Sequence, residues 1–576
     1  MILGFLAMIV ANAATVLGAR SLLRFVRVGR PATDAVLFLL LRFLLISAAV
    51  LVAGAARGLN PTVLGLAGAV ALAALVARGQ HRGLLPIERP AWDRWIVAAV
   101  ALLALRLLLQ AWFFAPYAGD ALYYHLPKVA EWVHGGAITR ETGADLRSLH
   151  PAGFEVYEIW WTVFLHHDVL IEMAGIEFLV LAGAAAYALA RELGWSTNVA
   201  ALSGLLFVMT PGLHLQATAC LNDGPVAALV VATLALIVAK AHPLLLLLPV
   251  GLGTGIKPTF VYALPGLALT WVLLRKKPGS PLPSARLTAG LVATALGVGA
   301  VWYLRNWALY GSPIYPVGWE GLKTPTGGHL QRLGPSLRGL RENLACFLDI
   351  RVYDRVQPAD PICAGNFNWG AAAFALGAPA LIALLRREAA LRPIAIGLTA
   401  SLLSVFTLVE LDPWYARFVF FFPVLTSLAL ARLWESERWI AVLGGLALAS
   451  TFLASGVPDS LREGALAGLA KQSWSARAAD PPPKASLDGS PVGFLCENFG
   501  NGYSLYGPDF SHRVVYLRDD VLEDLLAHAE RERLSFFYTD AALRKKLPML
   551  DEGVRRGRLK PFAVGAWKGY EILPAR

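Results

Sequence analysis

Apolar residues run along this chain in long unbroken blocks separated by short polar stretches. The blocks at 35–56, 95–114, 170–190, 288–304, 392–409 and 437–454 suit a hydrocarbon core, which takes roughly 20 residues to cross. In lipid each block must be helical, because a helix satisfies its own backbone hydrogen bonds. With the shorter apolar blocks between them, hydropathy predicts an all-α polytopic membrane protein of roughly 13 to 14 transmembrane helices. The pattern changes after about residue 457. There "DPPPKASLDGSP" reads as a linker by its proline and glycine. Residues 490–576 then alternate short apolar runs ("VGFLC", "RVVYL", "LSFFYTD") with helical stretches such as "DDVLEDLLAHAERER", which predicts a small α/β domain. The expected organisation is a transmembrane domain over 1–456, a linker over 457–489 and the α/β domain over 490–576.

Composition sharpens this picture. Of 576 residues, 56% are hydrophobic and 16% charged, where a soluble protein carries about a quarter charged. The net charge of +11 could suggest nucleic acid, but the basic residues cluster beside apolar blocks. Arg20, Arg24, Arg27 and Arg30 follow the first block, and Arg78, His81, Arg82 and Arg94 follow the third. Arg275, Lys276 and Lys277 follow a later one, and Arg386 and Arg387 another. That is the positive-inside pattern of a membrane protein. No basic stripe with interleaved aromatics is present, so nucleic acid is not an expected partner. The N-terminal "MILGFLAMIVANAATVLGAR" lacks a basic leader and carries its arginine after the apolar part. It reads as a helix with its N-terminus outside, not as a signal peptide.

Threading outward from the basic clusters puts the remaining polar segments on the other face. These are the long loops 115–169 and 305–366, "HLQATACLNDG", "GIKPTF" and "ELDPWYARF", together with the C-terminal domain. No repeat of fixed period is visible. The four cysteines form no CxxC pair. Cys346 and Cys363 fall in one external loop, where a disulfide is one reading and two unpaired thiols the other.

Candidate chemistry gathers on that outer face. Asp120 follows the block 95–114, and Tyr123, Tyr124, His125 and Lys128 come next at helical spacing. A capped turn explains the aspartate alone, and aromatic anchoring explains the tyrosines. A pocket at the membrane surface explains the group together. Asp223 begins another helix, either as an N-cap, with Pro225 just inside, or as a second carboxylate. Lys257 lies between two apolar segments, where a lysine costs a few kcal/mol without a partner or a wet cavity. It either snorkels or binds an anion. Arg305 and Arg417 stand at two further outer helix ends, and arginine suits phosphate through its bidentate fork. His150, Glu155, Glu158, His166, His167 and Asp168 leave a divalent metal open, but no HExxH or comparable spacing appears. No P-loop, GxSxG or GxGxxG stands in a convincing context, which argues against a nucleotide-driven pump.

Five short pieces in order, "GDALYYHLPKVAEW", "HPAGFEVYEIWW", "CLNDGPVAAL", "GLGTGIKPTF" and "WYLRNWALYGSPIYP", with "YARFVFFFP" as a later echo, resemble the GT-C-fold membrane glycosyltransferases. The match is to their protein mannosyltransferase and aminoarabinose transferase branch, over about residues 95–455. The resemblance implies transfer of a sugar from a polyprenyl-phosphate carrier to a lipid, glycan or protein acceptor at the outer face of the bacterial inner membrane, with inversion. It implies Asp120 as catalytic base and Lys257, Arg305 and Arg417 as holders of the carrier phosphate. Asp223 would be a second carboxylate, with Tyr123, Tyr124, His125, Lys128, His150 and Glu155 lining the pocket. The chain departs from the family at "HPAG", where Ala152 replaces a second proline, in additional N-terminal helices and in its terminal domain. Those departures bear on the acceptor and the branch. The competing reading is a transporter or flippase of a lipid-linked sugar or another anionic lipid. Transporters place ionisable groups near the midplane and show repeated halves, and neither feature is visible here. A non-catalytic scaffold is the third reading.

Overall fold

The computed structural model of the chain describes residues 2–80, 92–139, 146–274, 284–316, 336–349, 369–409, 415–436, 442, 491–496, 501–540, 543, 545–564 and 567–574. Helices α1 (Ile2–Val26), α2 (Pro31–Ala55) and α3 (Pro61–Ala77) come first, with α3 packed back along α1. Pro31 and Pro61 open their helices, where a missing N–H costs nothing. Helix α4 (Arg94–Phe113) leads into a segment of short helices and turns. It comprises a π-helical turn at Ala121–His125, α5 (Leu126–Gly135), a 3-10 turn at Leu146–Leu149 and α6 (Glu155–Thr162). Then follow α7 (Met173–Glu192), α8 (Thr197–Val208), α9 (Pro211–Gln216), α10 (Asp223–Val238) and α11 (Pro243–Ile256). A 3-10 turn at Pro258–Ala263 joins α11 to α12 (Leu264–Leu274), and α13 (Ala285–Tyr310) comes next. Helices α14 (Leu337–Leu348), α15 (Ala371–Arg387) and α16 (Arg392–Leu408), a 3-10 turn at Tyr415–Val419 and α17 (Val424–Ser436) follow among the described residues.

Among the described residues, six helical segments are long and apolar enough to cross a membrane: Ile2–Val26, Pro31–Ala55, Arg94–Phe113, Asp168–Glu192, Ala285–Tyr310 and Ala389–Leu408. Five of them match the long apolar blocks of the sequence, and the block 437–454 lies almost wholly outside the described residues. The molecule is an integral membrane protein. Shorter apolar helices fill the interior. Helix α10 is buried from Asp223 to Ile237 and packs against α7, α11 and α12. Small residues allow the tightest crossings. A Cβ on Gly251 would sit 2.5 Å from the Ala295 carbonyl oxygen, and one on Gly255 would sit 2.8 Å from Gly299 Cα. Two small residues four apart on α11 thus face two on α13, the spacing that lets membrane helices touch backbone to backbone.

The two ends of the bundle differ. At one end, Glu192 pairs with Arg30 and accepts from Thr33 at 2.7 Å. Glu388 there accepts from Arg432 at 2.6 Å and from Trp195 at 3.0 Å. These residues flank the turns next to the basic clusters used to orient the chain. The start of α1 lies at the other end, since a Cβ on Gly4 would collide with the Phe164 carbonyl. The N-terminus therefore shares an end with the segment 115–169, as the threading expects.

The C-terminal part is the expected α/β unit. Strands β1 (Val492–Leu495), β2 (Val514–Leu517), β3 (Phe536–Thr539), β4 (Leu559–Val564) and β5 (Trp567–Ile572) form one sheet in the order β2-β1-β3-β5-β4. Strand β1 runs parallel to β2 and β3, while β5 is antiparallel to β3 and β4. The three parallel strands are wholly buried, as strands covered on both faces are. Helices α18 (Leu522–Arg531) and α19 (Leu547–Arg555) cover one face through Leu522, Leu525 and Leu550. On the other face Phe494, Tyr506 and Phe510 join the core of the helical part. The loop after β1 docks on the helical part near α5 and the 3-10 turn at Asp168–Leu170. Asp168 N donates to the Pro508 carbonyl at 2.9 Å, and His134 Nδ1 and His166 Nδ1 donate to the Phe510 and Asp509 carbonyls at 2.8 and 2.6 Å. The linker 457–489 lies outside the described residues. Cys346 is disulfide-bonded, Cys220 and Cys496 are buried thiols outside any disulfide, and Cys363 lies outside the described residues.

Candidate active site

The segment after α4 does not continue as an α-helix. It turns once with π spacing at Ala121–His125 and then becomes α5. Pro127 has no N–H to offer this turn, which removes one regular α-helical bond there. Single π turns are frequent at functional sites. The turn starts immediately after Asp120, buries Tyr124 and His125, and leaves Tyr123 38% exposed. One helical turn on, Lys128 is buried at 2% and paired with Glu155, which is fully buried. Glu155 Oε1 also accepts from His125 Nδ1 at 2.9 Å. Burial alone would raise the Glu155 carboxyl, but Lys128 and His125 outweigh it and hold it down to about 2. Burial pushes His125 below its ordinary value in spite of Glu155. Neighbouring Glu158 is pushed well above the carboxylate range, first by burial and then by Glu155.

The "HPAG" turn is fixed by backbone contact. Gly153 N donates to the Gly255 carbonyl at 2.9 Å, and a Cβ on Gly153 would lie 2.6 Å from that same oxygen. The turn therefore seats on the last turn of α11, directly before Lys257. Arg305 and Asn306, at the end of α13, hold it from the other side. Both donate to the Leu149 carbonyl, at 3.2 and 2.9 Å, and Arg305 lies over the Trp302 ring. His150 follows in this turn. Burial and then the positive charges of Lys128 and Lys257 hold it down to about 3, so the ring is neutral at physiological pH.

At the centre, charges of alternating sign form a chain. Arg147 donates to Asp120 Oδ1 at 3.1 Å, and Arg417 donates to Asp120 Oδ2 at 2.7 Å. The Arg417 Nε lies 3.8 Å from Asp223 Oδ2, and Lys257 Nζ donates to Asp223 Oδ1 at 2.5 Å. Gln216 completes the buried side, donating to Asp223 Oδ2 at 3.3 Å and accepting from Gly224 N at 2.6 Å. Phe418 lies under Lys257 at 5.2 Å, and Tyr124 under Arg147 at 4.5 Å. Burial would raise the Asp120 carboxyl, but Arg417 and Arg147 hold it at about 2.

Of the residues singled out from the sequence, Asp120, Asp223, Lys257 and Arg417 therefore meet directly. His125, Lys128, Glu155 and His150 form the adjoining buried layer. Arg305 braces the turn that carries His150. His166 and Asp168 contact the C-terminal domain instead, where Tyr503 donates to Asp168 at 3.3 Å, while His167 Nδ1 accepts from Val169 N at 3.0 Å. No group of three or more His, Cys, Asp or Glu side chains among the described residues could hold a metal ion. Sequence reasoning missed Arg147 and Gln216. Arg147 lies three positions before His150 but inside the polar stretch "RETGADLR", which reads as an ordinary solvated loop.

The fold has known counterparts. The crystal structure of ArnT from Cupriavidus metallidurans in the apo state matches with a TM-score of 0.50 and 13% identity, covering 83% of this chain and 97% of that chain. A second crystal structure of ArnT from that organism, bound to undecaprenyl phosphate, gives a TM-score of 0.49 and 15% identity over the same shares. The chain has the ArnT-like GT-C fold that its motif order leads one to expect. No protein-family model and no curated protein sequence matches it.

Proposed function

We propose that this protein transfers a glycosyl group from a polyprenyl-phosphate carrier to an acceptor hydroxyl or amine at the extracytoplasmic face of the bacterial inner membrane. The observation that carries the reading is the chain Arg147–Asp120–Arg417–Asp223–Lys257 at one end of the helical bundle. Asp120 accepts the proton of the acceptor nucleophile. The bond between the anomeric carbon and the phosphate oxygen breaks as the bond to the acceptor forms, and single displacement inverts the anomeric centre. The phosphate leaves on the carrier lipid, its charge met by Arg417 and Lys257. Asp223 holds these two cations in place from the buried side. Arg305, expected at the phosphate, acts by bracing the "HPAG" turn. For the lipid chain, an apolar cavity of about 360 Å3 lies along the outer half of α4, lined by Leu108, Trp112, Phe113 and Met173. A second of about 470 Å3 shares Leu108 and continues along α4 between α7 and α8.

The test uses purified full chain in detergent and a synthetic short-chain polyprenyl-phosphate sugar. Transfer to added acceptor is expected without any membrane compartment, which a transporter would need. Asp120→Asn is expected to lower the transfer rate by about 10²- to 10⁴-fold while the protein stays monodisperse. Full transfer by a folded Asp120→Asn protein sinks the role of Asp120.

A further inference from the structure

Both oxygens of Asp120 are engaged, Oδ1 by Arg147 at 3.1 Å and Oδ2 by Arg417 at 2.7 Å. A carboxylate held between two guanidiniums is a poor proton acceptor, so the proposed base is idle as it stands. The groups around it are Arg147, Arg417, His125, Tyr124 and Asp223, and among these the two arginines bond to it directly. The side chains of Arg147, Asp120, Arg417 and Lys257 are 27, 23, 14 and 16% exposed, whereas Asp223 is 2% exposed behind them. The two arginines that clamp the base are therefore within reach of a bound anion. A phosphate competes with a carboxylate for the same guanidinium fork. Charge also favours its entry, since in the described ion chain three cations stand against two carboxylates and a phosphodiester adds one negative charge.

We infer that the carrier phosphate displaces Asp120 from Arg147 and Arg417, so that binding of the donor itself releases the base. This inference rests on the transfer reaction proposed above. It makes Arg147 a phosphate-binding residue and gives the clamp a purpose: without donor, Asp120 is an ion-paired anion that takes no proton. Asp223 remains in place beneath the site and holds Lys257.

Competition for the arginines has a signature in binding that a merely structural pair lacks. The measurement is titration of detergent-solubilised full chain with a short-chain polyprenyl phosphate. Asp120→Asn, which slows transfer under the reading above, is expected to bind the phosphate about tenfold more tightly than the wild type. Arg147→Gln is expected to weaken binding about tenfold in the Asp120→Asn background and distinctly less in the wild-type background, where Arg147 must first leave Asp120. Equal or weaker binding by a monodisperse Asp120→Asn protein overturns the inference. So does an Arg147→Gln effect of the same size in both backgrounds, a comparison that does not depend on the first. Absence of binding by both the wild type and Asp120→Asn overturns the transfer reading itself.

Discussion

At the scale of single residues, the site depends on charges that are costly to bury and therefore must be paired. Glu155 is fully buried between Lys128 and His125, and removing one member of such a pair leaves its partner uncompensated. Glu155→Gln is expected to destabilise the protein by about 3–5 kcal/mol at neutral pH. The same group sets a pH dependence. Its folded-state carboxyl lies at about 2, against 4.5 for the free group. A depressed carboxyl contributes stability that is present above the unfolded value and lost as pH falls through the folded one. Wild-type thermal stability in detergent should hold down to about pH 4.5 and decline toward pH 2, with Asp120 contributing in the same window. Glu155→Gln should flatten that decline, and an equally steep acid limb in the variant argues against Glu155 as its source. Asp120, Asp223, Lys257 and Arg417 were legible in the sequence because each is an ionisable group at the border of an apolar block. Arg147 was not, because a charge inside a polar stretch carries no local sign of what it pairs with.

At the scale of elements, two contacts the sequence does not announce place the chemistry. The π turn after Asp120 swings Tyr124 and His125 inward while Tyr123 stays outside. Hydrophobic periodicity cannot distinguish it from ordinary helix, because five residues are too few to define a period. The second is the seat of Gly153 on Gly255. The obstacle to any larger residue is backbone, which cannot rotate away. Gly153→Val is expected to cost about 1–3 kcal/mol through overpacking and to slow transfer further than that loss of stability explains, since His150 and Lys257 would move apart. A Gly153→Val enzyme with normal turnover at a temperature where it is fully folded would argue against that coupling.

For the whole molecule, the C-terminal domain is docked and not merely tethered. His134 and His166 each donate a ring N–H to a carbonyl of the loop after β1, and the domain shares apolar core with the helical part. Replacing both histidines by alanine should speed proteolytic release of residues 491–574 under limited digestion, while the helical part keeps its melting behaviour. Unchanged digestion would assign the docking to the apolar contacts alone.

By itself, the sequence determined that the chain is a helical membrane protein and that a small α/β unit follows. Those properties are local, since hydropathy, basic clusters and strand alternation are each read from a run of neighbouring residues. The motif order pointed to the fold as well. Only the tertiary structure decided which charges meet. Asp120 and Arg417 stand 297 positions apart yet bond at 2.7 Å, and Arg305, equally prominent in the sequence, turns away to hold a carbonyl. The reason is electrostatic and steric together. A buried charge takes whichever partner the packing of glycine-lined helices brings within hydrogen-bond reach, and no stretch of sequence specifies that partner alone.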